Sequence, residues 1–209
     1  MPAQNSSQRR SAARTAVVWD ALRSVLAAVP EDASVDGKAA SVLDIGGGTG
    51  GFAVRVAELG HRVTVIDPSP DALATLARRA DESGVADLVT SRQGDLASLR
   101  DLVPAGSADV VLCHGVLEIV DDPADALAAI ADVLRPGGTL SLLVNQRHAA
   151  VVARAMAGHF GQAKAMLDAP PGSGATHRFT ADEIASMLEE AGFDTTAMHA
   201  VRVFVDLVP

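Results

Sequence analysis

The chain has 209 residues, 48% hydrophobic and 21% charged, enough to build one domain around a sizeable core. A formal net charge of -9 argues against broad nucleic-acid binding, because an acidic surface repels a phosphate backbone at long range. Cys113 is the only cysteine, which excludes an internal disulfide framework, and no apolar run reaches the roughly 18 residues that a membrane span requires.

In chain order, the polar start "MPAQNSSQRRSAAR" lacks the apolar block of a secretory signal, and with the single thiol it points to a cytoplasmic location. Residues 1–12 read as a flexible tail and residues 13–29 as an amphipathic helix. "SVLDI" (Ser41–Ile45) is a short apolar run ending in glycines, the pattern of a buried strand. "GFAVRVAELG" has helical spacing and closes at Gly60. "RVTVID" (Arg62–Asp67) is a second buried strand. The helix "SPDALATLARRADESG" follows it, with Pro70 in its first turn and Gly84 past its end. "LVTSRQGD" gives a third strand and its exit loop, and "ADVVLCHG" (Ala108–Gly115) a fourth. "DPADALAAIADVLRPGG" is a helix stopped by Pro136, Gly137 and Gly138, and Thr139–Asn145 a fifth strand.

Strands alternating with helices of this length predict a parallel sheet with crossovers on both faces. The expected fold is an α/β three-layer sandwich with a Rossmann-like sheet of order 3-2-1-4-5. Residues 148–178 read as a lid-like excursion within a single domain spanning 1–209. A capping box, Thr180 to Glu183, opens the last helix. "DTTAMHAVRVFVDLVP" then reads as a further strand beside the fifth.

Open parallel sheets bind ligands beyond the carboxyl ends of their strands. The residues there are Asp44–Gly48, Asp67, Gly94–Asp95, His114 and Asn145. Gly46, Gly48 and Gly51 spell G-x-G-x-x-G, which lets the chain turn sharply and lets a ligand touch the backbone. A pyrophosphate would seek bare N–H groups there, and Asp44 would repel it. A ligand bearing an ammonium or sulfonium centre has the opposite need. S-adenosyl-L-methionine carries both cations, and Asp67 can accept from its ribose hydroxyls. Asp67 alone would fit a nicotinamide cofactor equally well. Asp95, in "QGD" at the end of the third strand, can receive an adenine amino group.

This ordered set, with "CHGVLEIVDDP" and "LRPGG" in the expected places, resembles the class I S-adenosylmethionine-dependent methyltransferases from about Arg14 onward. "ARTAVVW", "LDIGGGTG", "GHRVTVID", "MAGHF" and "VRVFVD" are similar to the bacterial transfer-RNA methyltransferases that esterify 5-carboxymethoxyuridine, and to their relatives. The resemblance implies that Arg14 grips the cofactor carboxylate, Gly46 and Gly47 line the methionine part, and Asp67 holds the ribose. It also implies that Gln93, Gly94 and Asp95 frame adenine and that His114 sits beside the methyl donor. Two departures stand out. The family's lysine-rich excursion is here "DAPPGSGATHR", with His177 and Arg178 as its anion ligands. The chain also stops at Pro209, where the family continues into a helix and a final antiparallel strand.

Several of these residues have a simpler role open to them. Asp44 can cap the turn that follows it, Asp95 can be the helix N-cap of "LASLRDL", His114 can be satisfied within the fold, and Asn145 and His148 can be loop polarity. Glu118 reads as packing or capping. No His, Cys or acidic spacing indicates a metal site. The reaction expected is methyl transfer from S-adenosyl-L-methionine to an acceptor met by Asn145, His148, His177 and Arg178. A carboxylate acceptor needs no general base, whereas a hydroxyl or amine would call on His114. A small-molecule acceptor is preferred over RNA on charge, with transfer RNA as the alternative. A non-catalytic cofactor-binding module is a third reading, and no membrane partner is expected.

Overall fold

The computed structural model describes residues 3–29, 39–170 and 176–201, with side chains from Ala16 onward. The chain forms two compact units, Val25–Val144 and a second made of Met1–Ser24 with Asn145–Pro209.

In the first unit, β1 (Ser41–Ile45), β2 (Arg62–Asp67), β3 (Val89–Gln93), β4 (Ala108–His114) and β5 (Leu134–Leu143) form one sheet. Every pairing is parallel and the order is β3-β2-β1-β4-β5, the order the alternating pattern predicts. Burial follows position in the sheet. In central β1 and β4 every residue except the terminal Ser41 and His114 is buried, whereas edge strand β3 exposes Thr90 to Gln93. The runs "VLDI" and "ADVVLC" are near-continuously apolar because both of their faces are covered.

The crossovers are α2 (Ala53–Glu58), α3 (Pro70–Glu82), α4 (Leu99–Leu102) and α5 (Pro123–Val133). Ser69 caps α3 by accepting the Ala72 N–H at 3.2 Å, with Pro70 at the first helical position. Asp122 caps α5 by accepting from the N–H groups of Ala124 and Asp125, and the apolar face Leu127, Ile130 and Val133 is buried.

Pro136, Gly137 and Gly138, read from sequence as a helix stop, lie inside β5. Leu134 already pairs with Ala108 and Thr139 pairs with Val110, so Arg135–Gly138 bulge out between them. The bulge re-aims Arg135, whose guanidinium donates to Asp109 Oδ1. Asp109 is only 6% exposed, and its Oδ2 accepts the Ser41 N–H at 2.7 Å. The pair thereby ties the start of β1 to β4 and β5.

α1 spans Ala3–Ala28 and so runs back through the stretch read as a tail. Its sequence has no Gly or Pro and is rich in Ala, Arg and Gln, which favour helix without any apolar periodicity to announce it. Trp19, Leu22 and Leu26 form its buried stripe.

In the second unit, the excursion consists of α6 (Arg147–Met156) and α7 (Phe160–Asp168), followed by residues 171–175, which lie outside the described residues. A parallel bridge between Gln146 and Phe179 returns the chain, with Phe179 N–H donating to Asn145 O and Arg147 N–H to Phe179 O. α8 (Ala181–Glu190) opens on the expected capping box. Glu183 Oε2 accepts the Thr180 N–H at 2.7 Å, and Arg147 reaches Glu183 Oε1 at 2.9 Å. Burial raises the Glu183 carboxyl, but the Thr180 N–H and the Arg147 charge outweigh it and hold the group below its ordinary value. The last strand expected from sequence is not formed over Asp194–Val201, and Arg202–Pro209 lie outside the described residues. Strand propensity becomes a strand only where it finds an edge to pair with.

Replacing Asp109 with alanine removes the acceptor of both the Arg135 guanidinium and the Ser41 N–H. Urea denaturation is expected to show a loss of about 3 kcal/mol, at the low end for a broken buried pair because the Arg135 side chain keeps 28% exposure. A loss below about 1 kcal/mol would mean that the pair does not anchor the sheet.

Candidate active site

The cofactor residues expected from sequence within Val25–Val144 gather at the carboxyl ends of β1 to β4. Asp44, next to last in β1, is 3% exposed, and its Oδ2 has no hydrogen-bond partner among the described residues. That oxygen lies directly against the glycine turn, since a Cβ on Gly47 would stand 2.6 Å from it. Burial first, then the negative charge of Asp67, push the Asp44 carboxyl from 3.8 up to about 7. A buried acid with an unmet acceptor beneath a turn that admits no side chain is a site for a cation.

The turn leaves room for a ligand to reach its backbone. Gly46 has φ +67°, a left-handed conformation that glycine adopts without strain, and a Cβ there would meet Val116 Cγ2 at 2.4 Å. Its N–H donates to Ile66 O at 2.7 Å. On the outer side, Arg79 of α3 donates to both Thr49 O and Thr49 Oγ1, holding the far end of the turn.

Asp67 joins the strand ends. Its Oδ2 accepts the Gly48 N–H at 2.9 Å, its Oδ1 accepts the Ser69 N–H at 2.9 Å, and its carbonyl accepts the Gly94 N–H at 3.2 Å. Each carboxylate oxygen keeps a second lone pair, so a ribose diol can still be bound. Gln93 Nε2 donates to Pro68 O, which fastens the end of β3 to the same place. Asp95 Oδ1 accepts from the Ser98 N–H and hydroxyl, closing the turn into α4, whose N-cap position is Ser98 rather than Asp95.

His114 ends β4. Its Nε2 is hydrogen-bonded to Ser141 Oγ at 2.9 Å, its Nδ1 is buried, and the ring stands edge-on to Phe52, centroids 5.1 Å apart at 77°. Cys113 is fully buried, and burial pushes its thiol up to about 12, so it acts as a small core residue. Glu118 is also buried, at 3% exposure.

The acceptor candidates belong to the second unit. The Gln146–Phe179 bridge brings Asn145, His148, His177 and Arg178 into one strap, with the His177 ring stacked on Phe179 at 6.0 Å. Arg178 offers its carbonyl to Arg147 and its side chain is exposed. The Arg14 side chain lies outside the described residues.

Sequence reasoning missed Phe52, Val116 and Ser141. Ser141 could have been found as the one hydroxyl within the apolar run "LSLLV" of the fifth strand.

Residues 43–142 match the family model described as "Methyltransferase domain". The tRNA 5-carboxymethoxyuridine methyltransferase of Escherichia coli K12 is 32% identical over 198 residues, an alignment covering 92% of this chain and 72% of that protein. The ubiquinone biosynthesis O-methyltransferase of Xanthomonas axonopodis pv. citri is 39% identical over 120 residues, 57% of this chain and 48% of the relative. Among solved structures, the [4+2]-cyclase SpnF superposes with a TM-score of 0.60 at 28% identity, covering 78% of this chain and 55% of that one. The chain thus spans little more than half of the cyclase. A methyltransferase from Thermotoga maritima shares the fold, with a TM-score of 0.57 at 21% identity over 91% of this chain and 77% of that one. The chain belongs to the class I S-adenosylmethionine-dependent methyltransferases.

The cofactor fits the residues described. Asp44 supplies a buried acceptor for positive charge, Gly46 to Gly48 a surface without side chains, and Asp67 the acceptors for a diol. When bound, S-adenosyl-L-methionine supplies a methyl group made electrophilic by its sulfonium.

Two predictions follow the geometry. Between pH 3.8 and about 7 the folded protein holds on Asp44 a proton that the unfolded chain has released, so stability without ligand falls as pH rises across that window. Thermal melts from pH 5 to 8 should show this slope, and Asp44→Asn should flatten it. Gly46→Ala drives a methyl group toward Val116 in a strained backbone, and calorimetry with S-adenosylhomocysteine should show at least about tenfold weaker binding. Unchanged affinity would remove the turn from the site.

Proposed function

We propose that this methyltransferase esterifies a carboxylate on a small acidic acceptor. The carrying observation is His114, the imidazole at the strand ends: Nε2 is engaged by Ser141 and Nδ1 is buried, so neither nitrogen is presented as a base. A carboxylate at neutral pH attacks the methyl group as it is, with no proton to remove. Catalysis then consists of holding acceptor and donor in line, which positioning alone accelerates strongly. The Escherichia coli relative, named for a carboxymethoxy nucleoside, is consistent with that acceptor group.

The net charge of -9 favours a small acid over a polyanion. Transfer RNA is the second reading, favoured by the same relative and by the segment 146–180. That segment holds Arg147, Arg154, Lys164 and Arg178 against Asp168 as its one acid.

Transfer of label from methyl-tritiated cofactor to a small-acid extract and to bulk transfer RNA separates the two. A small product whose label leaves as volatile methanol in alkali is the expected result. Alkali-stable label would overturn the carboxylate, and label confined to transfer RNA would overturn the small acceptor.

A further inference from the structure

We propose that Ser141 is a positioning residue for methyl transfer, holding the His114 ring as a fixed wall beside the reacting groups. The inference rests on the carboxylate-acceptor reading only for the sign of its kinetic effect.

The geometry that points to it is local to one end of the sheet. Ile45 pairs with Cys113, so His114 follows alongside Gly46, the first residue of the glycine turn. The ring is gripped on two sides by different elements. Phe52, which ends the glycine turn as the N-cap of α2, meets it edge-on at 5.1 Å. Ser141 meets it from β5 at 2.9 Å.

Ser141 can reach the ring because of strand register. It pairs with Leu112, while His114 pairs with Leu143, so in a parallel ladder Ser141 and His114 project from the same face, one step apart. Leu140 and Leu142 alternate to the opposite face of the strand, so the half-buried Ser141 hydroxyl stands on the same face as the ring. Its bond to Nε2 restrains the imidazole about its side-chain torsions. Without it, the ring loses its restraint from β5, and the imidazole gains freedom to turn. A wall displaced by even about 1 Å can slow an in-line transfer by one to two orders of magnitude.

The test uses the full chain labelled with nitrogen-15. Long-range proton–nitrogen spectra at pH 7.5 observe the histidine rings, and His114→Gln assigns the signal. In the native protein the His114 nitrogens should give the widely separated pair of shifts of one fixed tautomer. In Ser141→Ala they should move toward the averaged position of two exchanging tautomers. S-adenosylhomocysteine affinity by calorimetry should stay within about twofold, showing an intact fold and cofactor site. Alkali-labile transfer to the small-acid extract should fall about tenfold in kcat, with KM for S-adenosylmethionine unchanged. Ser141→Thr, which keeps the hydroxyl, should restore both the shifts and the rate.

Unmoved ring shifts in Ser141→Ala would overturn the proposal, and so would moved shifts with an unchanged rate. Failure of the threonine to restore either would also overturn it. Alkali-stable label would remove the carboxylate reading while leaving the ring shifts and the threonine rescue to decide Ser141.

Discussion

A carboxylate buried under a turn that cannot carry a side chain is the constraint on which this site depends. Asp44 lies at the end of a strand buried on both faces, where water cannot solvate it, and Gly47 is stacked against its Oδ2. Such a group is costly when ionised and alone, and the proximity of Asp67 raises that cost. A bound cation turns the same arrangement into a favourable one, because opposite charge in a poorly solvated place interacts more strongly than in water. The site is therefore destabilised when empty of positive charge and relieved by a sulfonium or ammonium ligand.

Asp67 shows how the fold keeps that site assembled. Its side chain accepts from Gly48 and Ser69 and its carbonyl accepts from Gly94, so one residue joins the glycine turn, the entry to α3 and the exit from β3. Loops at the ends of parallel strands have no ladder of their own, and their backbone groups need partners from elsewhere. Here Asp67 meets this need for three loops at once. Asp95 instead accepts within its own turn, from Ser98, and Gln93 donates to Pro68 O, a second tie between the ends of β3 and β2.

Much of the fold was legible because its signals are local. Buried strands of a parallel sheet read as short apolar runs, and Gly60, Gly84 and the Ser69–Pro70 pair punctuate the helices. The meeting of Asp44 and Asp67 at one end of the sheet was legible because each lies at the carboxyl end of an apolar run that reads as a parallel strand. The bulge at Arg135–Gly138 was not. Pro-Gly-Gly ends a helix and breaks a strand with the same letters, and only the pairing of Leu134 with Ala108 distinguishes them. α1 began earlier than its apolar stripe because helix propensity extends where amphipathicity does not. Ser141 escaped notice because its partner is in another strand, and contacts between strands are set by register rather than by spacing in the chain.

The net charge of -9 is a property of the whole chain, whereas the field at any one place depends on the charges near it. At the strand ends, a bound cation would offset part of the negative field of Asp44 and Asp67. The remaining charge of the chain is spread over the surface, where salt screens it within about 10 Å. The segment 146–180 departs from that surface, since four of its side chains are Lys or Arg and Asp168 is its only acid. Net charge thus bears mainly on long polyanions, which sample the whole surface. A small ligand responds mainly to the charges within a few ångströms of it.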